Sequence, residues 1–212
     1  MYTRTADTKT ADRIYDPYLG LYIKKLLPDP GIPILRKIAD KIWTPIYTVS
    51  GSEKRLADAL RQNHISNYYP RICSIISNRK YENKPFFPGV VFAALTAEDR
   101  KIMNENFLVR EIPEIRNSET EEHIFADICF MTMAEHISRF YPFTFEKEFR
   151  CPQLAAWKVT PMTIDGFGDC RFVSNEEENI TQIYFNFKTI AKIIKFNLTL
   201  YQFRSLLVSK VL

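Results

Sequence analysis

Few residues in this chain of 212 are suited to proton transfer, nucleophilic attack or metal binding, and their spacing keeps them apart. The histidines are His64, His123 and His136. His64 falls at the end of a helical pattern, and His136 lies thirteen residues beyond His123, so one helical turn cannot carry both. The cysteines, Cys73, Cys129, Cys151 and Cys170, include no CxxC pair and no histidine at ligand spacing. A structural zinc site needs ligand pairs close enough to converge on one tetrahedron, so these are expected to be reduced thiols, mostly filling core. Glu119, Glu121 and Glu122 crowd what reads as the first turn of a helix, where carboxylates complement the dipole. No glycine-rich phosphate loop, nucleophile elbow or HExxH occurs. The expectation is a protein with no enzymatic activity, no cofactor and no metal.

Binding chemistry is better represented. Arg71, Arg79, Lys80 and Lys84 bracket a polar segment, Ser77 to Lys84, that also holds Glu82. Such cations attract a phosphate backbone without reading its sequence, and a merely solvated loop is the plain alternative. With Tyr68 and Tyr69 just before them as stacking surfaces, they would suit a free-standing RNA-binding module. The net charge of +4 permits contact with phosphates and does not demand it. A chain that is 46% hydrophobic and 25% charged is of ordinary globular composition, with enough apolar material for one large core or two small ones. No apolar run approaches the roughly 18 to 20 residues that span a bilayer. Met1 to Asp12 is polar with alternating charge, unlike a secretory signal. A cytoplasmic location with no membrane partner is expected.

These residues must be positioned by regular elements. Ile42 to Val49 (IWTPIYTV) suits a strand, with Pro45 implying an edge or a bulge. Ser50 and Glu53 are spaced as a capping box, and Leu56, Ala59 and Leu60 supply the buried stripe of a helix closed by Asn63 and His64. Ile65 to Ile76 reads as a second strand broken at Pro70, followed by the basic loop. Phe86 to Leu95 (FFPGVVFAAL) is a strongly apolar strand entered through Pro88-Gly89. Thr96 with Asp99 predicts the N-cap of a short helix to about Asn104, and Phe107 to Ile112 makes a last strand. An antiparallel sheet with helices on one face is the economical α+β solution.

Ser118 and Glu121 form another capping box, after which Ile124, Phe125, Ile128, Met131, Ala134 and Ile137 recur at helical spacing as far as Arg139. Beyond Pro142 the period shortens. Trp157 to Ile164, Cys170 to Val173, Gln182 to Phe187 and Lys192 to Phe203 alternate apolar and polar residues, divided by Asp165-Gly166, Asn175 and Glu176 to Glu178. Short strands with turns between them predict a small β-barrel. The resulting division is an N-terminal extension (1–40), an α+β domain (41–115), a linker helix (116–142) and the barrel (143–212). In the extension, Leu19, Tyr22, Ile23, Leu26 and Leu27 fall at helical spacing until Pro28, Pro30 and Pro33 forbid a continuous helix.

Two segments carry a family resemblance. WTPIYTVSGSEKRLADAL, Trp43 to Leu60, resembles the opening of the NusG N-terminal domain. KPFFPGVVFAAL, Lys84 to Leu95, resembles that family's Pro-Leu-Phe-Pro-Gly-Tyr-Val-Phe-Val strand, with YYPR at Tyr68 to Arg71 bridging the two at a fitting distance. The likeness covers Trp43 to about Ile112, and the layout is nearest the UpxY-like paralogues associated with polysaccharide operons.

The resemblance implies an apolar concavity that grips the clamp helices of the largest subunit of RNA polymerase. Tyr47, Phe87, Val90 and Phe92 match the contact positions, with Pro88 and Gly89 shaping the turn between them. Val90 stands where the family usually has tyrosine, which removes a ring and a hydroxyl. The side bearing Arg71, Arg79, Lys80 and Lys84 would face the non-template DNA strand. The family ends in a KOW domain, an SH3-like barrel with a Gly-Pro-Phe-x-Gly turn; DGFGD at Asp165 to Asp169 is a degenerate counterpart. Such a barrel would recruit a second protein partner. The implied function is a transcription elongation or antitermination factor that suppresses pausing or termination, with the free-standing RNA-binding module as the alternative.

Overall fold

In β1 (Ile42–Thr48) the side chains divide as the two-residue period of a strand requires, Trp43 and Tyr47 to one face and Ile46 to the other. This computed structural model describes residues 40–76, 80–115, 117–138, 141–149, 157–164 and 166–203. The expected N-terminal extension, Arg79, Cys151 and Asp165 lie outside the described residues. β1 joins β2 (Asn67–Tyr68), β5 (Val90–Leu95) and β6 (Val109–Glu111) in an antiparallel sheet of order β2-β5-β1-β6. β6 pairs with β1 only at Tyr47 and Thr48, so at Pro45 the strand has β5 as its one neighbour, where a missing N–H is tolerated.

Every residue of β5 is buried. Val91, Ala93 and Leu95 meet α1 (Glu53–Gln62) and α2 (Ala97–Asn104) through Leu56, Leu60 and Met103. Val90, Phe92 and Ala94 face the other way, toward α3 (Ser118–Ser138) and its Ile124, Ile128 and Met131. Helices therefore flank both faces, not one as expected. The physical reason is in the strand itself: VVFAAL is apolar at consecutive positions, and such a strand needs cover on both sides.

The predicted basic loop is instead largely a ribbon. β3 (Arg71–Ile76) and β4 (Lys80–Pro85) pair antiparallel, from Arg71 opposite Pro85 to Ile76 opposite Lys80. It joins neither main sheet, so β4 shows none of the apolar alternation by which a half-buried strand is recognised. Of the three predicted capping boxes only one forms. Asp99 N–H donates to Thr96 Oγ1 and Thr96 N–H to Asp99 Oδ2, both at 3.0 Å. α1 begins after Ser52 with no side-chain cap, and α3 is capped by Asn117, whose Oδ1 accepts from Thr120 N–H at 2.8 Å.

α3, read from the sequence as a linker, is buried between two sheets: Ala126, Ile128, Phe130, Met133, Ala134 and Ile137 are all inaccessible. A helix apolar nearly all round is a core helix. Its second neighbour is an antiparallel sheet of order β7-β11-β10-β9-β8, built from β7 (Phe143–Glu146), β8 (Lys158–Ile164), β9 (Phe167–Asn175), β10 (Ile180–Phe187) and β11 (Lys192–Thr199). A 3₁₀ turn, Lys188–Ile190, connects the last two and ends at Ala191 with φ of 49°.

The expected SH3-like barrel is not what the described residues form. The edge strands β7 and β8 do not pair with one another, and the sheet lies open against α3. A barrel closes to bury its own interior, whereas here Phe172, Ile183, Phe185 and Phe196 share one core with Phe130 and Met131 of the helix. The second glycine of DGFGD, Gly168, serves that packing. A Cβ on Gly168, which has φ of 80°, would stand 2.5 Å from Phe130 Cε2, so only glycine lets β9 approach the helix.

Candidate docking groove

The Pro88-Gly89 turn ahead of β5 is pinned from two sides. Gly89, with φ of 84°, donates its N–H to Glu53 Oε1 at 2.6 Å and accepts from Thr48 N–H at 2.9 Å. Nothing crowds a Cβ at Gly89, so the positive φ is what selects glycine. Glu53, 4% exposed, is thus a turn clamp and not the capping residue the sequence suggested.

This turn forms one lip of an open hollow of about 410 Å³. Tyr47, Phe87, Pro88, Gly89 and Val90 line it from the N-terminal sheet, as does Arg110 of β6. The facing wall comes from the C-terminal sheet: Phe145 of β7, Ile190 of the 3₁₀ turn and Lys192 of β11. Five of the six residues expected to dock a partner therefore converge. Phe92 does not; it is fully buried between Tyr68 and the α3 layer and belongs to the core.

The five differ in what they present. Phe87 is nearly sealed, its ring meeting Phe86 at 4.8 Å, Phe187 at 5.3 Å and Phe145 at 6.2 Å, all edge-to-face. Val90 is likewise buried, so Pro88, Tyr47 and the 53%-exposed Phe145 make the mouth. Tyr47 donates its hydroxyl to Thr189 O at 3.3 Å, and Arg110 holds its guanidinium 5.8 Å from the ring centroid. Burial raises the Tyr47 pKa, Glu111 adds to the rise, and Arg110 opposes it.

The Thr189 peptide is held from its other side as well. Asp127 of α3, completely buried, accepts Thr189 N–H at Oδ2 (2.8 Å), while its Oδ1 has no partner. Burial lifts this carboxyl to about 6, against the hydrogen bonds from Thr189 and the charge of Lys188. The turn that carries Ile190 is thereby tied to both α3 and β1. Sequence reading missed Glu53, Asp127, Phe145, Arg110 and Lys192 as parts of this site. Only Asp127, an acid among apolar helix positions, gave a signal in advance.

Along the backbone of the ribbon, Arg71 and Lys84 fall at one end and Lys80 at the other. Arg71 and Lys84 are exposed at the base of the ribbon, where Arg71 lies 5.8 Å from the Tyr69 ring centroid and donates its backbone N–H to Glu135. Lys80 sits opposite Ile76 at the other end, roughly 17 Å away at the rise of a strand. Tyr68, a candidate base-stacking residue, is turned inward onto Phe92, with its centroid 6.3 Å away. Burial, then the charge of Glu135, pushes its hydroxyl well above the usual tyrosine range. Cys129 and Cys170 are buried and in no disulfide, and among the described residues no group of histidine, cysteine and carboxylate side chains is placed to hold a metal. No helix among the described residues is long and apolar enough to cross a membrane.

No curated protein matches the chain. Residues 41–136 match the family described as Transcription termination factor nusG, a span from β1 almost to the end of α3, so this part of the chain is NusG-like and supports a role in transcription.

Proposed function

We propose that this protein is an accessory factor of RNA polymerase, of the elongation or antitermination kind, acting by binding and not by catalysis. It docks on the clamp helices of the largest subunit through the hollow between Tyr47 and the Pro88-Gly89 turn. The observation that carries this reading is convergence: residues distant in sequence, Tyr47 and Phe87 to Val90, line one open hollow. A rigid turn over an apolar floor suits the ridge of a partner helix, since well-packed apolar anchors dominate binding. A factor that binds the closed clamp better than the open one shifts the polymerase toward the closed, pause-resistant state.

Arg71 and Lys84, exposed at the base of the ribbon, are the residues for backbone contact with non-template DNA. The UpxY-like layout points to action on a polysaccharide operon in the cytoplasm, with the outer face of the C-terminal sheet left for a second protein partner. Loss of the factor should then lower transcription of the distal genes of that operon. The RNA-module alternative is weakened because Tyr68 packs its ring toward Phe92 and the core, which leaves it poorly placed to stack on a base.

The direct test is co-purification with core RNA polymerase. Tyr47→Ala is expected to weaken binding about tenfold or more, as loss of an aromatic anchor does. Unchanged recovery of a folded Tyr47→Ala protein would sink the docking assignment.

A further inference from the structure

We infer that the C-terminal sheet is itself part of the docking surface, so that the hollow receives an α-helix whose apolar ridge is flanked by carboxylates. The inference rests on the docking reading above and adds to it residues beyond the family-matched span of 41–136.

The hollow is narrower than the helix it would receive. A hollow of about 410 Å³ has a linear dimension of roughly 7 Å, whereas a helix with its side chains is about 10–12 Å across. A helix seated there cannot sink between the walls without resting on both. One wall carries Tyr47 and Pro88, the other Phe145 and Ile190. Phe145 is more than half exposed, yet its ring is already fixed edge-to-face against Phe143 (5.5 Å) and Phe87 (6.2 Å). An exposed ring held in place loses little conformational freedom on binding, which is what makes an effective anchor.

The rim of the hollow is positively charged on both sides. Each wall carries one exposed cation, Arg110 on the N-terminal side and Lys192 on the C-terminal side. Neither has an ion pair among the described residues, and no carboxylate lines the hollow. Glu111 stands opposite Tyr47 in the sheet register but outside the lining. An apolar floor between two unpaired cations is complementary to a helix with acidic residues on both sides of its ridge.

The test uses the full chain and core RNA polymerase, with Tyr47→Ala reporting on the N-terminal wall. Phe145→Ala and Lys192→Glu report on the C-terminal wall, and both positions are exposed. Phe145→Ala is expected to weaken binding about tenfold. Lys192→Glu should weaken it by about the same factor, Lys192→Gln by about threefold, and the Gln variant should show a flatter salt dependence than the parent protein. If Tyr47→Ala weakens binding while Phe145→Ala and Lys192→Glu stay within about twofold of the parent, the C-terminal wall is no part of the interface, although docking itself stands. Tighter binding by Lys192→Glu would overturn the acidic flank. No effect from any of the variants, or no binding by the parent protein, removes both readings together. Should Phe145→Ala fail to fold, the two Lys192 variants decide the matter alone.

Discussion

Replacing Asp127 by asparagine should remove an inverted pH dependence of stability. Asp127 sits fully inside the layer shared by α3 and the 3₁₀ turn, and its carboxyl is lifted from 3.8 to about 6 by burial. The folded chain therefore holds this proton more tightly than the unfolded chain does. Stability falls as pH rises through the interval from about 4 to about 6 and levels off above it, opposite in sign to an ordinary ion-paired carboxylate. About two pKa units correspond to roughly 3 kcal/mol between the fully protonated and fully charged limits. Between pH 5 and pH 8 only part of that is seen, because at pH 5 the folded carboxyl is still mostly protonated and the unfolded one mostly charged; the difference is about 1.4 kcal/mol. Asparagine keeps an oxygen to accept Thr189 N–H and cannot ionise. Urea unfolding at pH 5, 6, 7 and 8 measures the effect, and subtracting the two profiles removes the contribution of other titrating groups. The parent protein should lose about 1.4 kcal/mol relative to Asp127→Asn across that range. Parallel profiles, or a parent that gains stability toward pH 8 relative to the variant, would show that the carboxylate is not buried as described.

Two further substitutions probe the elements that shape the groove. Gly168→Ala places a Cβ 2.5 Å from Phe130 Cε2 at a φ of 80°, and should destabilise the fold by about 2 to 4 kcal/mol in thermal or urea unfolding. A loss under about 0.5 kcal/mol would mean that β9 does not approach α3 this closely. Glu53→Ala leaves the Gly89 N–H without its acceptor and should cost about 1 to 3 kcal/mol, with weaker polymerase recovery because the turn is released. Full polymerase binding by a destabilised Glu53→Ala protein would separate the turn from the interface.

Five residues that line the hollow, and the strand that carries four of them along or beside it, were legible because FFPGVVFAAL and IWTPIYTV are local patterns. Pro-Gly marks a turn and a short apolar run marks a strand, although the cover that such a run needs on both faces was not part of the expectation. Thr96 and Asp99 were legible for the same reason, since a capping box closes within four residues. The same logic failed at Ser50/Glu53 and Ser118/Glu121, where the spacing was right but Glu53 reached 36 positions along the chain to Gly89 and Asn117 took the cap of α3. β4 went unread because a ribbon outside both main sheets needs no alternation.

By itself the chain determined its periods: two-residue alternation in β1 and after Pro142, helical spacing from Ile124 to Ile137, and a glycine where φ must be positive. Those are short-range properties, set by backbone sterics and by which face of one element is apolar. What covers each face was decided only in three dimensions. α3 could have been a solvated linker, but its apolar circumference is satisfied by two sheets at once, and with that helix to bury the C-terminal strands stay open instead of closing into a barrel. Phe92 became core for the same reason, and Phe145 and Lys192 came to face Tyr47 and Arg110 across the hollow. Burial is a property of the whole assembly, because an apolar surface is stabilised by any partner that excludes water, and nothing within one strand says which partner that will be.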